Sequence, residues 1–107
     1  MLESIGLINC EVSIQSVCEL IRSNLPRLTI LSLNNCGLND KELLKIKEAV
    51  VYNKVLKLID FRGNNITDVN CINTPMIRSK SSLNHVIFSK NSILQNIPNN
   101  DGFIQLE

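Results

Sequence analysis

Apolar positions along this chain fall into two periods that take turns. In four places they occupy motif positions one, four, six and eleven of a short segment, with Asn or Cys at position nine. The first segment is Leu2-Glu3-Ser4-Ile5-Gly6-Leu7-Ile8-Asn9-Cys10-Glu11-Val12, and the second is Leu28-Thr29-Ile30-Leu31-Ser32-Leu33-Asn34-Asn35-Cys36-Gly37-Leu38. The third carries Leu56, Ile59, Phe61, Asn64 and Ile66, and the fourth Leu83, Val86, Phe88, Asn91 and Ile93. These segments begin near residues 2, 28, 56 and 83, spaced by 26, 28 and 27 residues. Self-similarity at such a spacing marks a repeat architecture, in which each unit buries its apolar face only against its neighbours.

Alternation at positions four and six predicts a short strand with those side chains on one face and positions three, five and seven on the other. Stacked units then form four apolar columns, one for each of the motif's apolar positions. A residue at position nine sits where the chain turns away from the strand. Asn64 and Asn91 can there hydrogen-bond backbone groups that the turn leaves unpaired. Cys10 and Cys36 would do so more weakly and are expected as small buried hydrophobes.

Between the segments the period lengthens to about 3.6. Ser13 is placed to N-cap a helix running to about Asn24, with Ile14, Val17, Cys18 and Ile21 inward. Asn39 and Glu42 form an N-x-x-E start resembling a capping box, and Leu43, Ile46, Ala49 and Val50 carry the inward face to about Tyr52. A third, weaker helix is expected to begin at Thr67 and stop near Thr74, because Pro75 disfavours helical geometry in the residue before it. Residues 97–102 read as loop and turn, with Phe103, Ile104 and Leu106 folding back over the last unit.

The four copies resemble the leucine-rich repeat family. Their length, helical connections and Cys at two ninth positions are most like its intracellular ribonuclease-inhibitor-like and cysteine-containing classes. The resemblance implies an α/β solenoid of about four strand-helix repeats over residues 1–107, a single domain with a curved parallel sheet and helices on the convex side. It also implies a non-enzymatic protein-interaction module or scaffold that binds its partner on the concave sheet face. Carried over by motif position, that face holds Ser4, Ile30, Leu58 and His85 at position three, Gly6, Ser32, Asp60 and Ile87 at five, and Ile8, Asn34, Arg62 and Ser89 at seven. Apolar Ile30, Leu58 and Ile87 ringed by polar neighbours are the usual mark of a protein-binding patch. His85 is expected to hydrogen-bond Asp60 across the strands.

Composition narrows the function classes. Eleven Lys and Arg against ten Asp and Glu give a formal charge of +1, so no basic excess drives the chain toward nucleic acid. Lys41, Lys45, Lys47, Lys54 and Lys57 are interleaved with acids and read as a solvated surface. No stretch approaches the roughly 18 apolar residues of a membrane span. Four cysteines with no C-x-x-C pair favour a reduced, intracellular chain, expected in the cytoplasm, with nucleus and cytoskeleton left open. The first motif begins at residue 2, which leaves no room for a polar cap. A slice of a longer array is therefore expected, and an uncapped N-terminal edge offers a template for self-association.

A hydrolytic triad would need His85, Asp60 and Ser89 to converge. Residues four apart on a strand lie about 13 Å apart, too far for the base to activate the hydroxyl. One histidine and scattered cysteines also make a poor metal site, so neither metal nor other cofactor is expected. Two further readings stay open beside the scaffold. Cysteine-containing repeats resemble those beside F-box segments, implying a substrate receptor of a ubiquitin ligase, and compact repeat domains occur in RNA-export or splicing adaptors. A centrosomal or actin-linked scaffold is a variant of the leading reading.

Overall fold

The structure, a computed structural model, describes residues 3–70, 72–93 and 102–106. Among these residues five strands and three helices follow in the order β1 (Glu3–Gly6), α1 (Ile14–Arg22), β2 (Leu28–Ser32), α2 (Asp40–Val50), β3 (Leu58–Asp60), α3 (Pro75–Lys80), β4 (His85–Ile87) and β5 (Ile104–Gln105). All five lie in one sheet in sequence order, each parallel to the next. The register joins equivalent motif positions, with Leu31 beside Ile59 and Ile59 beside Val86.

The side chains at motif positions four and six explain the two-layer arrangement. Leu31, Leu33, Ile59, Phe61, Val86 and Phe88 are buried with Val17, Ile21, Leu43, Ile46, Val50 and Ile77 from the helices in one aliphatic core. The helices therefore cover that face of the sheet and leave the position-three and position-five face uncovered. Phe61 and Phe88 stack with ring centroids 5.4 Å apart, filling a column that Leu33 fills one unit earlier.

Local signals set most element boundaries. Ser13 Oγ accepts from Ser16 N–H and opens α1, which ends at Arg22, with Asn24 in the left-handed region. Asn39 and Glu42 form the reciprocal capping box at α2. The third helix departs from the expectation. Residues 67–70 are not helical; Thr74 instead N-caps a helix whose first residue is Pro75. Proline's fixed φ and missing N–H suit the first helical position, so the residue expected to end a helix starts one.

The carboxyl-terminal residues do return to the last unit, as a strand. Val86 N–H donates to Phe103 carbonyl at 2.8 Å and Phe88 N–H to Gln105 carbonyl at 2.7 Å. Phe103 and Ile104 are buried there, while Leu106 is exposed. Arg78 lies over the Phe103 ring, 4.5 Å from its centroid. Leu2, Cys71 and residues 97–101, about which the sequence raised expectations, lie outside the described residues.

Candidate functional site: the uncovered sheet face

Parallel pairing assembles the candidate face in rows. Ser4, Ile30, Leu58 and His85 are successive register partners, as are Gly6, Ser32, Asp60, Ile87 and Gln105. Ile30, Leu58 and Ile87 are half-buried, so they form a shallow apolar strip and not a projecting patch. The third row continues past the strand ends. Asn9 N–H donates to the Asn34 carbonyl, Asn35 N–H to the Arg62 carbonyl and Gly63 N–H to the Ser89 carbonyl, at 2.9 to 3.0 Å. Asn34, Arg62 and Ser89 therefore lie side by side at the carboxyl ends of β2, β3 and β4.

That third row is polar and incompletely satisfied. Asp60 Oδ1 accepts the Arg62 backbone N–H at 3.0 Å, and its Oδ2 lies 3.7 Å from the Arg62 guanidinium. The guanidinium contact is longer than a charge-assisted hydrogen bond, so Arg62, about half exposed, keeps donors free to face solvent. Ser89 is only 8% exposed, yet its Oγ has no hydrogen-bond partner, and neither has the buried Nδ2 of Asn34. An unmatched buried polar group costs about 1–3 kcal/mol.

His85 does not reach for Asp60. Its Nδ1 is 2.7 Å from the Gly102 carbonyl and its Nε2 2.8 Å from Gln105 Oε1. A carbonyl only accepts, so Nδ1 carries a proton. The ring ties β4 to the fifth strand, whose presence the four-unit motif did not announce. Both nitrogens are thus engaged away from Ser89, and the two side chains do not form a nucleophile–base pair.

Behind this face, the position-nine residues hold neighbouring units together. Asn64 Oδ1 accepts from Cys36 N–H and Leu38 N–H, both at 3.0 Å, while Nδ2 donates to the Leu33 and Phe61 carbonyls at 2.7 and 2.8 Å. Asn91 repeats the arrangement with Ile66 N–H and the Phe61 and Phe88 carbonyls. Cys36 donates its S–H to the Leu7 carbonyl at 2.9 Å, in place of one amide bond. Burial pushes its thiol pKa up, and does the same for Cys18. Cys10 departs from the expectation of a buried thiol: it is exposed and reaches only the carbonyl of Ile8. No unit precedes it among the described residues, so nothing covers it as Leu7 and its neighbours cover Cys36.

Sequence reasoning missed three features. Asn53 is buried; it donates to the Ile21 carbonyl and accepts from Val55 and Leu56 N–H, fixing the entry to β3. A groove of about 380 Å³ between α2 and α3 is lined by Val51, Tyr52, Met76 and Ile77. Finally, the motif's eighth position is left-handed throughout: Asn9, Asn35, Gly63 and Lys90 have φ of 57°, 54°, 77° and 61°. Asn, Asn and Gly in one column were a legible signal for that conformation. A Cβ at Gly63 would also run into the side-chain amide of exposed Asn35, which would have to turn away.

Among the described residues, no group of three or more His, Cys, Asp or Glu could hold a metal, and no helix is long and apolar enough to cross a membrane. The arrangement is therefore that of an α/β protein with a parallel sheet in sequence order and one uncovered face. No protein-family model matches the chain, and no curated protein matches it either. The fold is similar to the solved structure of a tropomodulin C-terminal domain from Caenorhabditis elegans, with a TM-score of 0.65 over 92% of this chain. Identity is 18%, and the match spans 60% of that structure, so the likeness is one of fold.

Proposed function

We propose that this chain is a non-enzymatic protein-interaction module of the leucine-rich repeat type, which takes a partner on the uncovered sheet face. The observation that carries the reading is the apolar strip made by the register partners Ile30 and Leu58 with Ile87 one row on, on a face that no helix among the described residues covers, bordered by Ser32, Asp60, Asn34, Arg62 and His85. Half-buried aliphatic side chains beside oriented polar groups give a partner both contact area and orientation. Likeness to a tropomodulin domain in strand order and helix placement is compatible with this use. Free thiols at Cys10, Cys18 and Cys36 fit an intracellular setting, and we place the module there.

Affinity purification with the wild-type chain and with a Leu58→Asp/Ile87→Asp double variant tests the reading. Both side chains are half-buried on the uncovered face, so circular dichroism should show that both forms are folded. Partners recovered by the wild type should be lost from the double variant. Recovery of the same partners by both would exclude this face as the binding surface.

A further inference from the structure

The third row of the face indicates what kind of segment it receives, given the sheet-face reading above. Asn34, Arg62 and Ser89 lie side by side at the carboxyl ends of three adjacent strands. All three side chains are hydrogen-bond donors; Arg62 is about half exposed, while the Asn34 and Ser89 donor atoms are buried and unmatched and meet a partner only by turning outward. Arg62 is held by Asp60 at 3.7 Å, a distance that orients the guanidinium without consuming its hydrogen bonds. Lys90 follows Ser89 directly and is exposed. It also sits in the left-handed region at φ 61°, where the corresponding units place Asn or Gly. That is a backbone conformation that lysine rarely adopts.

We propose that this row is a seat for a carboxylate carried by an extended partner segment, an Asp or Glu with an aliphatic side chain two residues away that lies on Ile30, Leu58 and Ile87. Charge complementarity argues for it. The row offers one guanidinium and two neutral donors, with exposed Lys90 next in the chain, and the acid one row back, Asp60, is mostly buried and already committed to Arg62. A carboxylate has about four acceptor sites and can serve several donors at once. A partner's hydroxyl or amide would leave the cations unanswered. The apolar strip, one row and two rows away on the same face, fixes where that aliphatic side chain sits, because residues along an extended segment advance about 3.3 Å each and every second side chain faces the sheet.

Selection of random short peptides displayed on phage, against the full chain and an unrelated control, tests the pairing. The enriched peptides should carry Asp or Glu two residues from Leu, Ile or Val. Replacing that acid by its amide in a synthetic peptide should weaken binding about ten-fold. On Arg62→Gln the same replacement should change binding less than about two-fold, the coupling expected of a direct pair. A Lys90→Asn variant relieves the backbone and should weaken only the acidic peptide.

Enrichment without acids, or an acid effect that persists on Arg62→Gln, would overturn the carboxylate seat and leave the sheet-face reading standing. Peptides that bind Leu58→Asp as well as the wild type, or no enrichment above the control, would overturn both. Circular dichroism of each variant separates loss of binding from loss of fold.

Discussion

The first strand-helix unit and the second carry nearly the same motif and yet sit in different environments. Leu31 and Leu33 are fully buried, whereas their equivalents Ile5 and Leu7 are only half-buried. Cys36 is buried and bonds across to Leu7, while Cys10 is exposed and bonds only two residues back. The lesson is that the motif does not confer burial. It confers a shape that becomes buried when another unit stands on each side, which is why repeat stability is a sum of unit terms and interface terms. β1 is at the sheet's edge among the described residues, and the second unit is flanked by β1 and β3.

If interfaces carry the stability, the largest loss should come from the residue that spans one. Asn64→Ala leaves the N–H groups of Cys36 and Leu38 and the carbonyl of Leu33 without their Asn64 partner, while the Phe61 carbonyl keeps Asn91. Each costs about 1–3 kcal/mol before relaxation, so a total near 4 kcal/mol is expected, a large share of a domain's usual about 5–15. Cys10→Ala, the same motif position at the open end, should stay within about 0.5 kcal/mol. Urea unfolding of the two variants measures the contrast, and comparable losses would show that position nine acts within its own unit.

A smaller contrast lies in the position-six column. Leu33→Ala opens a cavity in a fully enclosed site and should cost about 3 kcal/mol. Leu7→Ala removes the same side chain from a site already half open, where water fills the space, and should cost about 1 kcal/mol. Equal losses would mean that the first unit is covered in solution, by a second copy or otherwise. A concentration series by light scattering then identifies a second copy.

How much of this was legible follows the same division between local and neighbouring causes. The four strands, the Ser13 cap, the Asn39–Glu42 box and the backbone bonding of Asn64 and Asn91 are set by residues close in sequence or by the motif itself. Pro75 was local but ambiguous, since one ring both disfavours helix before it and favours helix after it. β5 escaped because only 18 residues separate Ile104 from its register partner Val86, well short of the 26 to 28 between earlier units. The partners of His85 were lost with it, because Gly102 and Gln105 belong to that strand region. The exposure of Cys10 had no signal in its own segment. The strand rows follow the motif positions, but the buried and unmatched state of Ser89 and Asn34 depends on packing that spacing does not encode.

The smallest expected effect concerns a tie between the second and third units that the first interface lacks. Asp40, the first residue of α2, accepts from the Thr67 N–H at 2.9 Å, from the Asp68 N–H at 3.2 Å and from the Thr67 hydroxyl. Burial pushes its carboxyl up, but those three hydrogen bonds outweigh it and hold the pKa below the ordinary 3.8. A depressed carboxylate contributes stability that is fully present above its unfolded pKa and is lost as pH falls through the folded one. In α1 the same place is taken by Ile14, so the first interface has no such term. Asp40→Asn should therefore cost about 1 kcal/mol near neutral pH. The gap between variant and wild type in thermal or urea midpoint should begin to narrow as pH drops below about 4 and close further toward lower pH. A gap that stays constant from neutral pH through that acid range would mean that the Asp40 charge is not what joins the two units, and that Thr67 and Asp68 are held by packing alone.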